Sequence, residues 1–134
     1  MPYLPTTDEG SVQTAAETET LSSPGRTGVS KSGRIGADWE RRVAEYFAAH
    51  GFPYAERRVT NGAKDRGDLS GIPGVMVECK AEKQIHLSEY MSEVAVQKAN
   101  AGASVGVAVI KRRSHGVEKA YVVLELRDFV DLIH

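Results

Sequence analysis

The sequence predicts an α/β fold in which helices pack against a mixed central sheet, in the order α-β-β-β-α-β-β. Three observations carry that prediction. Ile35, Trp39, Val43, Tyr46, Phe47 and His50 recur at three- and four-residue steps, the period of a helix with one buried stripe. In residues 75–80, Val75, Val77 and Cys79 share one face of a strand, and Met76, Glu78 and Lys80 share the other. Residues 104–110 are nearly all apolar, as expected of a strand covered on both sides.

The elements follow in order along 134 residues, enough for one domain with a real core. Residues 1–33 are rich in Thr, Ser, Glu, Gly and Pro, with little that is large and apolar after Leu4 except Leu21. Such a segment buries too little surface to offset its ordering entropy, so it reads as a disordered tail before a folded domain at 34–134. The first helix runs from Ser32 or Gly33 to His50, with Gly51 as its cap and Phe52-Pro53 as its stop. Residues 54–60 read as a first strand, and Asn61-Gly62 as a hairpin turn. A second strand follows Asp68, and the turn at 70–74 leads into the third at 75–80, which makes a three-stranded meander. Ser88 is placed to cap a second helix over 89–101, with Tyr90, Met91, Val94, Ala95 and Ala99 available to the core. Residues 119–126 form a last strand, and 128–133 a short helix or turn.

Several classes are excluded by composition. The chain is 41% hydrophobic and 26% charged, which is ordinary for a soluble globular protein. No run approaches the ~18 apolar residues of a membrane span. The first residues carry Asp8 and Glu9 and no apolar stretch, so they do not read as a secretory signal. Cys79 is the only cysteine, which fits a reducing, cytoplasmic setting. His50, His86, His115 and His134 lack metal-ligand spacing, so zinc is not expected. The net charge is −1, and the four acids and two bases of the tail leave the remaining domain at about +1. Any contact with a polyanion must therefore come from local patches.

The chemistry gathers around Asp68 and Glu78-Cys79-Lys80. Glu-x-Lys alone is close to chance in a chain with 12 Glu and 7 Lys, and its plain reading is a salt-bridged strand face. The combination says more, because strand parity sets Glu78 beside Lys80 and one turn brings Asp68 near them. Two hard carboxylates hold Mg²⁺ with several waters retained. The carbonyl of Cys79 would lie in reach of the same ion. A lysine beside it stabilises phosphoryl charge as a point cation. Without a metal, clustered acids would repel and raise one another's pKa. Glu40 sits at the edge of the first helix's stripe, where it also reads as a solvated carboxylate pairing with Arg41 or Arg42.

Asp68 followed by Glu78-Cys79-Lys80, with a helix acid upstream, resembles the PD-(D/E)xK nuclease superfamily. Residues 77–80 and the Ser32-x-x-x-Gly36-x-x-x-Glu40 pattern are similar to archaeal-type Holliday junction resolvases and small phage endonucleases. The resemblance covers residues 32–110. It implies a restriction-endonuclease-like core and Mg²⁺-dependent hydrolysis of phosphodiester bonds in DNA, most naturally branched DNA, with Mn²⁺ able to substitute. It also implies a homodimer with no small-molecule cofactor and no membrane, in the cytoplasm of a bacterium or phage-infected cell.

On the same grounds Asp68 and Glu78 would be metal ligands and Lys80 the catalytic lysine. Glu40 would reach the metal directly or through water, and Gln97 would be the glutamine of the helix after the motif strand. Gly67 stands where the family often has proline. Asp65 competes with Asp68 or simply shapes its turn, and Glu82 and Glu93 are further acids within reach. Arg57, Arg58, Lys64 and Arg66 form a basic patch for DNA phosphates, and residues 111–113 a second one. Two alternatives stay open: a nuclease of the same type acting on other DNA (restriction-type or single-strand specific), or a non-catalytic DNA-binding protein of the same fold.

Overall fold

The computed structural model describes residues 31–59 and 65–134. The expected hairpin turn at Asn61-Gly62, Lys64, and most of the expected tail lie outside the described residues. Helix α1 spans Lys31–Ala49, so the folded part begins inside the stretch read as tail. Trp39, Val43 and Ala44 are its buried face, while Ile35 and Tyr46 at the stripe's margins are more than a third exposed. Gly51, at φ 104°, turns the chain out of the helix. The Phe52 N–H then donates back to the Phe47 carbonyl (3.0 Å) as the two rings meet edge-on.

Strands β1 (Glu56–Arg57) and β2 (Leu69–Ser70) form a two-residue antiparallel ladder. This is far shorter than the strand expected over 54–60. The reason is burial: Tyr54 and Val59 face solvent at 83% and 82% exposure, so that stretch has no apolar face to hold it to the core. The expected meander is accordingly absent as one sheet among the described residues. Strand β2 nevertheless reaches β3 (Val75–Lys80) through the Asp68 N–H, which donates to the Val77 carbonyl at 2.9 Å.

Helix α2 (Leu87–Ala101) begins one residue before Ser88, which therefore does not cap it; His86 holds that position without a side-chain bond. Gly102 ends the helix in the left-handed conformation. Tyr90, Val94 and Gln97 are its buried residues, whereas Ala95 and Ala99, expected in the core, are exposed. Strand β4 (Val105–Ile110) pairs in parallel with β3 over all six residues, from Val75 opposite Val105 to Lys80 opposite Ile110. Its other edge pairs antiparallel with β5 (Tyr121–Val123). The three strands make a mixed sheet in the order β3-β4-β5. A 3₁₀ turn at Val117–Lys119 and the start of helix α3 (Leu126–Ile133) cut the last strand below its expected length.

Two apolar layers enclose the sheet. On one side Trp39, Val43 and Ala44 pack on Val77, Cys79, Val105, Val107 and Val109. On the other, Tyr90 and Val94 pack on Met76, Ala108 and Ile110. Strand β4 lies between the layers and is buried throughout, which accounts for its unbroken apolar run. The Trp39 indole N–H crosses the first layer to the Val109 carbonyl (3.2 Å), so this large side chain is filled and hydrogen-bonded at once. No helix among the described residues is long and apolar enough to cross a membrane.

Candidate functional site

The site forms where β2 meets the end of β3. The odd-numbered peptide groups of β3 turn toward β2: the Val77 carbonyl accepts from Asp68, and the Cys79 N–H donates to Asp68 Oδ2 at 2.7 Å. The even-numbered Lys80 carbonyl turns the other way, to the Lys111 N–H beyond β4. The Cys79 carbonyl is thus directed to the edge that Asp68 occupies. Gly67 is what allows this approach. Its φ is 99°, and a Cβ there would stand 2.6 Å from the Met76 sulfur, so proline or any larger residue is shut out.

Glu78 and Lys80 share the face toward α2, as strand parity requires, with Lys80 Nζ 3.5 Å from Glu78 Oε2. Lys80 also pairs with Glu93 Oε1 at 2.5 Å and lies over the Tyr90 ring, 5.0 Å from its centre. Burial alone would lower its pKa, but Glu93 and Glu78 outweigh that and hold the ammonium above its ordinary value. Glu78 is 7% exposed, and its Oε1 has no hydrogen-bond partner among the described residues.

Burial, then the Asp68 charge, pushes Glu78 up to about 8, against the pull of Lys80. Asp68 is raised to about 6, mainly by burial and also by Glu40 and Asp65, although the Cys79 N–H works the other way. Burial, then the Asp68, Glu40 and Glu78 charges, push the Cys79 thiol well up, keeping it protonated near neutral pH.

Around this pair the remaining residues take defined places. Asp65 shapes the turn: its Oδ1 accepts from the Gly67 N–H at 3.0 Å, and its Oδ2 accepts from Gln97 Nε2 at 2.7 Å. Asn100, one helical step on, donates to the Asp65 carbonyl (2.8 Å). Gln97 therefore grips the loop that carries Asp68, and its buried Oε1 is left without a partner among the described residues. Glu40 is near enough to raise Asp68, and its Oε1 accepts from Arg57 Nε at 3.0 Å. Arg58 is half-buried, its Nη2 donating to the Leu69 carbonyl (3.3 Å), while Arg66 is exposed. Glu82 accepts from the Tyr90 hydroxyl at 2.7 Å. Sequence reasoning missed Tyr90 as the bed of Lys80 and Asn100 as a loop anchor. The signal was the shared stripe Tyr90, Glu93, Gln97 and Asn100, which recurs at three- and four-residue steps.

A divalent cation suits this donor set. The half-buried Asp68 carboxylate, the buried Glu78 with its unpartnered oxygen and a strand carbonyl are hard oxygen donors that could hold one. Among the described residues, no group of three or more His, Cys, Asp or Glu side chains is placed to hold a metal ion. Comparison with protein-family models, with curated proteins and with solved structures finds no match.

Proposed function

We propose that the chain is a Mg²⁺-dependent DNA endonuclease of the PD-(D/E)xK type, most like a Holliday junction resolvase, acting as a cytoplasmic homodimer. One observation carries the reading: the buried Glu78 carboxyl, with an unpartnered oxygen, lies near half-buried Asp68 and beside the Lys80 ammonium. A structural carboxylate pair would have donors for its lone pairs. The unpartnered Glu78 oxygen favours a small hard cation there.

Asp68, Glu78 and the Cys79 carbonyl would hold the ion, with Glu40 reaching it through water. When bound, Mg²⁺, or Mn²⁺ in its place, supplies a water of lowered pKa and neutralises phosphoryl charge. Lys80 remains protonated and turns from Glu93 to the phosphoryl oxygen, where negative charge grows. Gln97 and Asn100 keep the Asp68 loop in register through Asp65. Arg57 exchanges Glu40 for a DNA phosphate, and Arg66 adds a second contact from the exposed loop.

Cleavage of labelled four-way junction, linear duplex and single-stranded DNA, with and without Mg²⁺, tests the reading. Symmetric nicks in the junction alone, only with metal, are expected. Equal cutting of linear duplex removes the resolvase assignment and leaves the nuclease. Binding without cutting in both Mg²⁺ and Mn²⁺ leaves a DNA-binding protein of this fold.

A further inference from the structure

Two residues of α2 meet the Lys80 ammonium, and they differ in how freely they can let it go. Tyr90 and Glu93 stand three residues apart on that helix, so both face the end of β3. Glu93 Oε1 takes Nζ at 2.5 Å from a side chain that is half exposed. The Tyr90 ring lies with its centre 5.0 Å from Nζ, and Tyr90 is 2% exposed. Its ring sits in the apolar layer of Met76, Val94, Ala108 and Ile110, and His86 meets it edge-on at 6.3 Å. Its hydroxyl donates to Glu82 Oε1 at 2.7 Å, with the Gln84 carbonyl 3.1 Å away. Glu82 and Gln84 belong to the segment by which the chain leaves β3 just after Lys80. The ring is therefore fixed at its helix end and at its hydroxyl end.

We propose that Tyr90 is a positioning residue for Lys80, its ring holding the ammonium beside Glu78 while Glu93 gives way to the substrate phosphate. The proposal rests on the nuclease reading above and adds the part that aims its lysine. In the free chain the ammonium stands among Glu93, the ring and Glu78 Oε2, the last 3.5 Å away. When a phosphoryl oxygen replaces Glu93, the ring is the contact that does not have to move.

An aromatic face suits that task. It attracts the cation through its quadrupole, yet offers no lone pair that competes with a phosphoryl oxygen for the ammonium protons. A carboxylate in the same place would hold the lysine back. An aliphatic side chain would leave its flexible four-carbon stem unguided. Filling the apolar layer alone explains neither the cation over the ring nor the hydroxyl bonds that fix its tilt.

The test changes the ring's electrons and keeps its shape. Tyr90→Phe, then the same replacement carrying one, two and three ring fluorines, withdraws charge from the face step by step. Tyr90→Phe itself loses the hydroxyl bonds and keeps the face, and should stay within about threefold of the wild-type kcat. Along the fluorinated series kcat should fall steadily, by about tenfold in all, with KM and melting temperature unchanged. In the free chain, without DNA or metal, the Lys80 methylene protons next to the ammonium should resonate upfield, because the ring shields them. Tyr90→Leu should abolish that shift. A wild type that cuts DNA with a kcat flat across the series overturns this proposal alone. So does a kcat that falls only as the melting temperature falls, or a Lys80 shift indifferent to Tyr90→Leu. A wild type that cuts no DNA overturns the nuclease reading, and this proposal with it.

Discussion

Two regions of this molecule bury carboxylates, and they do so in opposite ways. Asp128 is buried at 3% exposure, and Lys98 and the Gly106 N–H are aimed at it. Lys98 and the Gly106 N–H outweigh the cost of burial and hold it below the usual carboxylate range. Gly106 has no side chain because Val94 of α2 comes so near that a Cβ would sit 2.8 Å from its methyl. The Asp68–Glu78 pair is the reverse. Glu78 is buried beside a half-buried Asp68, and it keeps an oxygen without a partner among the described residues. One region fastens a helix, and its charges are balanced within the chain. The other holds Glu78 buried next to the Asp68 charge, which raises its pKa to about 8.

The contrast is broken most forcefully by activity. Asp68→Asn, Glu78→Gln and Lys80→Ala should each lower Mg²⁺-dependent cleavage by about 10³-fold or more while DNA binding and fold persist. Asp128→Asn should leave cleavage within a few-fold. Wild-type rates in all three site variants would put the chemistry elsewhere.

Stability should move the other way. Asp128→Ala leaves Lys98 and the Gly106 N–H unpaired and should cost roughly 2 kcal/mol in urea unfolding. Glu78→Gln removes a repulsive charge and should stabilise the metal-free protein near pH 8. A loss of stability on Glu78→Gln as large as that for Asp128→Ala would make the two carboxylates alike and erase the distinction.

The pH dependence follows from the signs. Asp68 and Glu78 bind protons more tightly folded than unfolded. From their ordinary values of 3.8 and 4.5 up to about 6 and about 8, the folded state therefore holds more protons. Metal-free stability is thus expected to fall as pH rises from about 5 to about 8, and to flatten in Glu78→Gln. For Asp128 the folded pKa is lowered, so its contribution is present above the ordinary 3.8 and is lost as pH falls below it. Melting in EDTA from about pH 3 to pH 8 reads both signs, and a wild-type curve that rises from pH 5 to pH 8 would count against the raised pair.

Smaller effects refine the picture. Gln97→Ala and Asn100→Ala should loosen the Asp68 loop and cut the rate about tenfold, chiefly in kcat at saturating Mg²⁺. Glu40→Gln should give a loss of similar or smaller size, and an unchanged rate would detach it from the site.

Much of this site was legible because strand parity is rigid. Alternation in residues 75–80 put Glu78 with Lys80 and turned the Cys79 peptide to the Asp68 edge, whatever the rest of the chain did. The α1 and β4 predictions held for the same reason, since long periodic runs dominate local choices. Short elements were not legible. The length of β1 depended on whether Tyr54 and Val59 found a core, which they did not. The cap expected at Ser88 falls two residues earlier, at His86, where the helix starts from Leu87. Helix α3 could be sensed as a helix, but its orientation rests on one ion pair with Lys98, thirty residues away in sequence. No local pattern encodes that. Arg57 illustrates the same limit: its charge was plain, its partner Glu40 was not.

The central claim is that Asp68 and Glu78 form a cation site and Asp128 does not. Calorimetric titration of Mn²⁺ into the chain near pH 7, in two buffers of different ionisation heat, addresses it without any DNA. The account predicts one ion per chain, proton release on binding because Glu78 must give up its proton, and loss of binding in Asp68→Asn and Glu78→Gln but not in Asp128→Asn. Binding that survives both site variants, or none at millimolar Mn²⁺, would contradict it.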